Sequence, residues 1–105
     1  MIEITAENIE EVMSNNKVIV DFMADWCAPC KQMTPVFEKL SEDPNYADIV
    51  FVKYDIEEGL DLTSKAGIKS VPAFVFFVDG EYVNSVIGSM KEDKLKEFIE
   101  NCSNM

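Results

Sequence analysis

Residues 17–31 read KVIVDFMADWCAPCK, and the fold turns on this stretch. Lys17 to Met23 is a near-continuous apolar run interrupted by Asp21. A run this short and apolar on both parities fits a central strand covered on both faces. A helical pattern follows, with Met33, Val36, Phe37 and Leu40 sharing one face. Cys27 and Cys30 lie between strand and helix, separated by Ala28 and Pro29. Pro29 is tolerated in a first turn, where its missing N–H would be an orphan anyway. Pro35 should kink the helix and Asp43-Pro44-Asn45 should break it.

Outward from this unit the chain keeps alternating. Ile2 to Ile4 suggests a short edge strand, and Thr5 can cap a helix bearing Ile9, Val12 and Met13. Asn15 and Asn16 should end that helix. Ile49 to Tyr54 predicts a second buried strand, and Leu60 to Ala66 a short helix closed by Gly67. Phe74 to Val78 predicts a third, and Asp79-Gly80 a hairpin returning through Tyr82 to Ile87. Ser89 to Glu92 has the spacing of a capping box, before a helix with Leu95, Phe98, Ile99 and Cys102 on one face. The order β-α-β-α-β-α-β-β-α predicts right-handed parallel crossovers. The closing antiparallel hairpin makes the central sheet mixed, and helices should cover both its faces. The 105 residues suffice for a single domain spanning the whole chain.

The two cysteines carry the chemistry. Two intervening residues at a helix start bring the sulfurs within bonding reach. At the helix N-terminus, unpaired N–H groups and the macrodipole favour a negative charge, so the Cys27 thiol should ionise readily. Cys27 would attack a substrate disulfide. Cys30, one turn inward and shielded, would resolve the mixed disulfide and leave the pair oxidised. The competing reading is half of a zinc site. Zinc takes four ligands, and only Cys102 accompanies the pair, in a chain without histidine.

Composition excludes much else. No histidine means no histidine base, so Ser-His-Asp and Cys-His mechanisms fall away. A formal net charge of −11 repels phosphate backbones and anionic lipid, so neither nucleic acid nor membrane is expected as a partner. The N-terminus, MIEITAENIEEV, has no basic start, apolar run or cleavage site of a signal peptide, which predicts a reducing, cytoplasmic location.

Asp21 and Lys53 each interrupt an apolar strand and would be costly to bury alone. On neighbouring strands they could compensate each other. A buried carboxyl has a raised pKa and can exchange protons near neutrality, so Asp21 could take the Cys30 proton, through water, during resolution. A purely structural pair, or two solvent-facing strand ends, fits the spacing equally. Pro72, before the third buried strand, should mark a strand entry. Cys102 reads as a buried, inert helix-face residue, with an exposed thiol forming a regulatory or intermolecular disulfide as the alternative.

Together these residues resemble the thioredoxin family over nearly the whole chain. The likeness rests on VDF-x-A-x-WC-x-PCK at Val20 to Lys31, Pro35, and VKYDI at Val52 to Ile56. It continues through GIKSVPAFVFF at Gly67 to Phe77, DGE at Asp79 to Glu81, and Gly88 before the last helix. The resemblance implies a thioredoxin fold, with Cys27 as nucleophile, Cys30 as resolving cysteine, and Asp21 and Lys53 as helpers in proton transfer. It implies a cis Pro72 packed against the disulfide, and a Val71 backbone that pairs with a substrate strand. Trp26, Ala28, Pro29, Val71, Pro72, Ile87 and Gly88 would form an apolar docking patch. It further implies a monomer without a cofactor of its own. Electrons would come from an NADPH-linked thioredoxin reductase and pass to oxidised proteins such as peroxiredoxins.

The chain departs from the family pattern at Ala28, usually glycine, at Met23, often tryptophan, and at Ala73, commonly threonine. Isomerase-type motifs carry histidine where Pro29 stands, so proline favours a reductant. The rival from another class is a thioredoxin-like binding or chaperone module that leaves its dithiol unused.

Overall fold

The computed structural model describes residues 1–104. Five strands form one sheet: β1 (Ile2–Glu3), β2 (Lys17–Met23), β3 (Val50–Asp55), β4 (Ala73–Val78) and β5 (Glu81–Ile87). Their spatial order is β1-β3-β2-β4-β5, which puts the KVIVDFM run at the centre. The helices are α1 (Ile9–Met13), α2 (Ala28–Ser41), α3 (Leu62–Ala66) and α4 (Glu92–Ser103).

The period of two along each strand divides the apolar residues between two cores. Val18, Val20 and Phe22 of β2 join Val52 and Tyr54 of β3 on the face covered by α1 and α3. Ile19 and Phe51 point to the opposite face, with Phe37 and Leu40 of α2 and Leu95 and Ile99 of α4. Burial on both faces explains why β2 and β4 read as continuous apolar runs rather than alternating ones.

The β1–β3 and β3–β2 pairs are parallel, whereas β4 runs antiparallel to β2 and β5 antiparallel to β4. The parallel crossover expected from alternation therefore holds through α1 and α2 and fails through α3. Helix length does not decide it, since α1 and α3 both have five residues; what differs is the end of the sheet at which the chain re-enters. The chain stays at the end of the sheet where β3 finished, and β4 starts there in the opposite sense.

Several local expectations meet their geometry. Thr5 and Asn8 form a reciprocal cap: the Thr5 N–H donates to Asn8 Oδ1 at 2.8 Å and the Asn8 N–H to Thr5 Oγ1 at 3.3 Å. The first turn after Thr5 is irregular, so regular helix starts only at Ile9. α2 continues through Pro35, and Asp43 caps a short 3-10 turn over Pro44–Tyr46. Gly67 closes α3 in the left-handed region at φ 68°. Asp79 and Gly80 both have positive φ, 52° and 81°, the geometry of a two-residue hairpin turn matched to strand twist.

The capping box at Ser89 does not form. Lys91 is extended, at ψ 158°, and it caps α4 without a side-chain hydrogen bond. The helix thus starts beyond the reach of Ser89. The Glu92 carboxylate turns instead to Lys39 of α2, at 3.0 Å.

Candidate functional site

The site lies where β2 ends, around the start of α2. Cys27 is the N-cap residue of α2, with an extended backbone, and its Sγ accepts a hydrogen bond from the Cys30 N–H at 3.2 Å. Ala28 and Pro29 make the exposed first turn, and Cys30 follows one turn in. Cys27 and Cys30 are bonded to each other, with Cα atoms 5.3 Å apart. Both are buried, at 4% and 1% exposure, so the dithiol is shielded on nearly all sides. Trp26, adjacent in sequence, is 68% exposed.

Around the disulfide pack Ala24, Met23, Ile56 and Val71. Val71 precedes Pro72 through a cis peptide bond, and Pro72 is buried at the entry to β4. The Gly88 N–H donates to the Pro72 carbonyl at 2.8 Å, and Ile87 pairs with Ala73 across β4 and β5. One end of the sheet thus gathers Trp26, Ala28, Pro29, Val71, Pro72, Ile87 and Gly88 from three separate chain segments. Ile87 is exposed and Gly88 partly so.

Asp21 and Lys53 lie opposite each other on β2 and β3. The same period places them on the face of Ile19 and Phe51, the face that α2 covers. Asp21 is fully buried, and neither carboxylate oxygen has a hydrogen-bond partner among the described residues. Burial pushes its pKa from 3.8 up to about 7, and the Lys53 charge pulls the other way. A carboxyl so placed changes protonation near neutral pH, as an acid–base group requires. Lys53 itself is half-buried.

Sequence reasoning missed part of the site. Ile56 packs against the disulfide from a 3-10 turn over Ile56–Glu58 that was not expected. Asp55 caps that turn by accepting from the Glu57 N–H at 2.9 Å. An aspartate followed by two acidic residues before Gly59 was the available signal. Thr63 and Ile68 join Trp26, Ile56 and Val71 in a groove of about 110 Å³ beside the pair. The third cysteine, Cys102, is buried in the core between the sheet and α4, and burial raises its pKa. Its thiol is therefore screened from solvent, as the helix-face reading expects. Among the described residues, no group of three or more His, Cys, Asp or Glu is arranged to hold a metal, and no helix is long and apolar enough to cross a membrane.

Known proteins place this geometry. The family model for thioredoxin matches residues 1–101. A thioredoxin of Mycoplasmoides gallisepticum is 38% identical over 95 residues, 90% of this chain and 93% of that protein. Thioredoxin 1 of Plasmodium falciparum is 38% identical over 89 residues, 85% of this chain and 83% of that one. The solved Plasmodium falciparum thioredoxin superposes with a TM-score of 0.85 at 35% identity, covering 96% of this chain and 98% of that chain. A chain solved in work on the thiol resolving mechanism of a yeast mitochondrial 1-Cys peroxiredoxin, via glutathione and thioredoxin systems, gives 0.81 at 30% identity. That match covers 96% of this chain and 94% of the other. Because sequence and fold agree along almost its entire length, and the bonded cysteines stand at its strand-to-helix junction, the chain belongs to the thioredoxin family and is a dithiol–disulfide oxidoreductase.

Proposed function

We propose that this chain reduces disulfides in other proteins and is itself re-reduced by an NADPH-linked thioredoxin reductase. The observation that carries the reading is the Cys27–Cys30 bond with Cys27 at the N-cap of α2. In the reduced protein the helix N-terminus favours a thiolate at Cys27. That thiolate attacks a substrate disulfide, forms a mixed disulfide and releases one substrate sulfur. The Cys30 thiol gives its proton to Asp21 through a bridging water, and the resulting thiolate attacks Cys27 Sγ. The second substrate sulfur leaves, and two electrons have passed from the pair to the substrate. Lys53 tunes Asp21 through its charge.

Trp26, Ala28, Pro29, Val71, Pro72, Ile87 and Gly88 serve as the docking surface in this scheme. An extended substrate segment pairs with the Val71 backbone. Oxidised peroxiredoxins are candidate substrates, supported by the likeness to a chain studied in that context. The chain works as a monomeric, single-domain carrier in a reducing compartment such as the cytoplasm.

Trp26 adjoins Cys27, so its fluorescence in graded redox buffers tests the proposal. A two-electron transition near about −270 mV, the potential known for thioredoxin itself, supports a general reductant. A transition near about −180 mV, as known for protein disulfide isomerase, points to an oxidant or isomerase. No transition, with mass spectrometry finding no Cys27–Cys30 bond, would overturn the scheme in favour of a binding module.

A further inference from the structure

The stretch from the end of β5 to α4 carries Ile87 and Gly88, two members of the proposed docking surface. It is fixed on one side by the Gly88 N–H donating to the Pro72 carbonyl at 2.8 Å. On the other side the Met90 N–H donates to the Sδ of Met33 at 3.4 Å. Met33 sits on α2 three residues after Cys30, one turn along the helix that carries the dithiol. Its side chain is 2% exposed and lies in the core with Leu95 and Ile99.

We infer that Met33 is a positioning residue for protein substrates: its sulfur ties the Ile87–Met90 segment to the helix of the dithiol and fixes where the docking backbone stands relative to Cys27. The inference rests on the docking role proposed above. The physical point is the acceptor. Methionine differs from leucine or isoleucine of similar volume in offering a lone pair, weak but sufficient for an amide. No other acceptor serves the partly buried Met90 N–H among the described residues. An apolar residue at position 33 would fill the same space and leave that N–H orphaned, which disfavours the present arrangement of the segment. The Lys39–Glu92 ion pair is exposed at Lys39 and joins α2 to α4 two residues further on, so it constrains Met90 less directly.

Met33→Leu is the test, since leucine conserves volume and should fold. Amide hydrogen exchange reads the contact without reference to function. Met90 should be protected in the wild type and should exchange about fivefold faster or more in the variant, the loss expected for one hydrogen bond. With insulin as protein substrate, KM should rise about fivefold at unchanged kcat. The Trp26-monitored redox midpoint and the rate with a small aromatic disulfide should stay at wild-type values. An unprotected Met90 amide in the wild type, or exchange unaltered by Met33→Leu, overturns the inference whatever the activity. Altered exchange with unchanged insulin KM overturns the link to substrate positioning. If the wild type reduces the small disulfide but not insulin, the docking reading fails, and the exchange data still report on the contact alone.

Discussion

Asp21 and Lys53 stand opposite each other on adjacent parallel strands, yet no ion pair joins them. Asp21 is fully enclosed and has no hydrogen-bond partner among the described residues, while Lys53 is only half-buried. The mutual compensation expected of neighbouring strands is thus incomplete, and the carboxyl keeps a pKa near 7. A structural ion pair would have lowered that value. An enclosed carboxyl left close to neutrality, on the face that the dithiol helix covers, suits proton exchange better than bracing.

This has a definite consequence for stability. The folded Asp21 pKa lies above its ordinary value of 3.8, so between pH 4 and 7 the folded chain holds a proton that the unfolded chain has released. Stability therefore falls as pH rises through that window and levels off above about 7. Asp21→Asn keeps the shape and removes the titration. Denaturant unfolding at pH 7.5 should show the variant more stable than wild type by up to about 4 kcal/mol, shrinking toward zero near pH 4. A wild-type stability that rises across this range would refute the assignment.

Lys53 sets where that window ends. Its charge lowers the Asp21 pKa against the larger effect of burial. Lys53→Gln, which keeps the chain polar and removes the charge, should move the upper limit of the stability decline to higher pH. Unfolding curves at half-unit intervals of pH would show it. If proton uptake by Asp21 assists resolution, the pH profile of insulin reduction should shift in the same direction.

Much of this was legible because the decisive residues are local. Lys17 to Met23 matches β2 residue for residue, since an apolar run of this length suits a strand buried on both faces and is short for a buried helix. Asp79-Gly80 could only be a tight turn, as both residues adopt positive φ. What escaped depends on distance. Ser89 had the spacing of a cap, but an extended Lys91 and the attraction of Glu92 to Lys39, 53 residues away in sequence, moved the start of α4. The direction of β4 depends on the end of the sheet at which the chain re-enters after α3, a long-range choice that the periodicity of strands and helices does not encode. Ile56 entered the site through a 3-10 turn too short to leave a periodic trace.

Cys102 should behave as core rather than as a thiol. It is 1% exposed, among Leu95, Ile99 and Phe37, and burial holds its pKa up. An alkylating thiol reagent applied to the reduced, native protein should modify Cys27 quickly and Cys102 only on unfolding. Cys102→Ser places a hydroxyl in an apolar setting and should cost about 1–3 kcal/mol in denaturant unfolding. Insulin reduction by the variant should stay at the wild-type rate. Fast labelling of three thiols in the native state would contradict the burial.

The two active cysteines should separate cleanly by position. Cys27, at the N-cap, receives the field of the α2 terminus, and its backbone breaks from the helix there. Cys30 lies one turn inward at 1% exposure, where an incoming substrate sulfur meets Cys27 first. Cys30→Ser keeps the attacking group and removes the resolving one, so turnover of insulin should fall to background while a mixed disulfide accumulates. Mass spectrometry should find that adduct on Cys27. Cys27→Ser should yield no adduct at Cys30 under the same conditions, because the remaining thiol is enclosed and lacks the N-cap position. Adducts of equal yield in the two variants would mean that either sulfur can be reached, and the order of attack and resolution would then have to be reversed or abandoned.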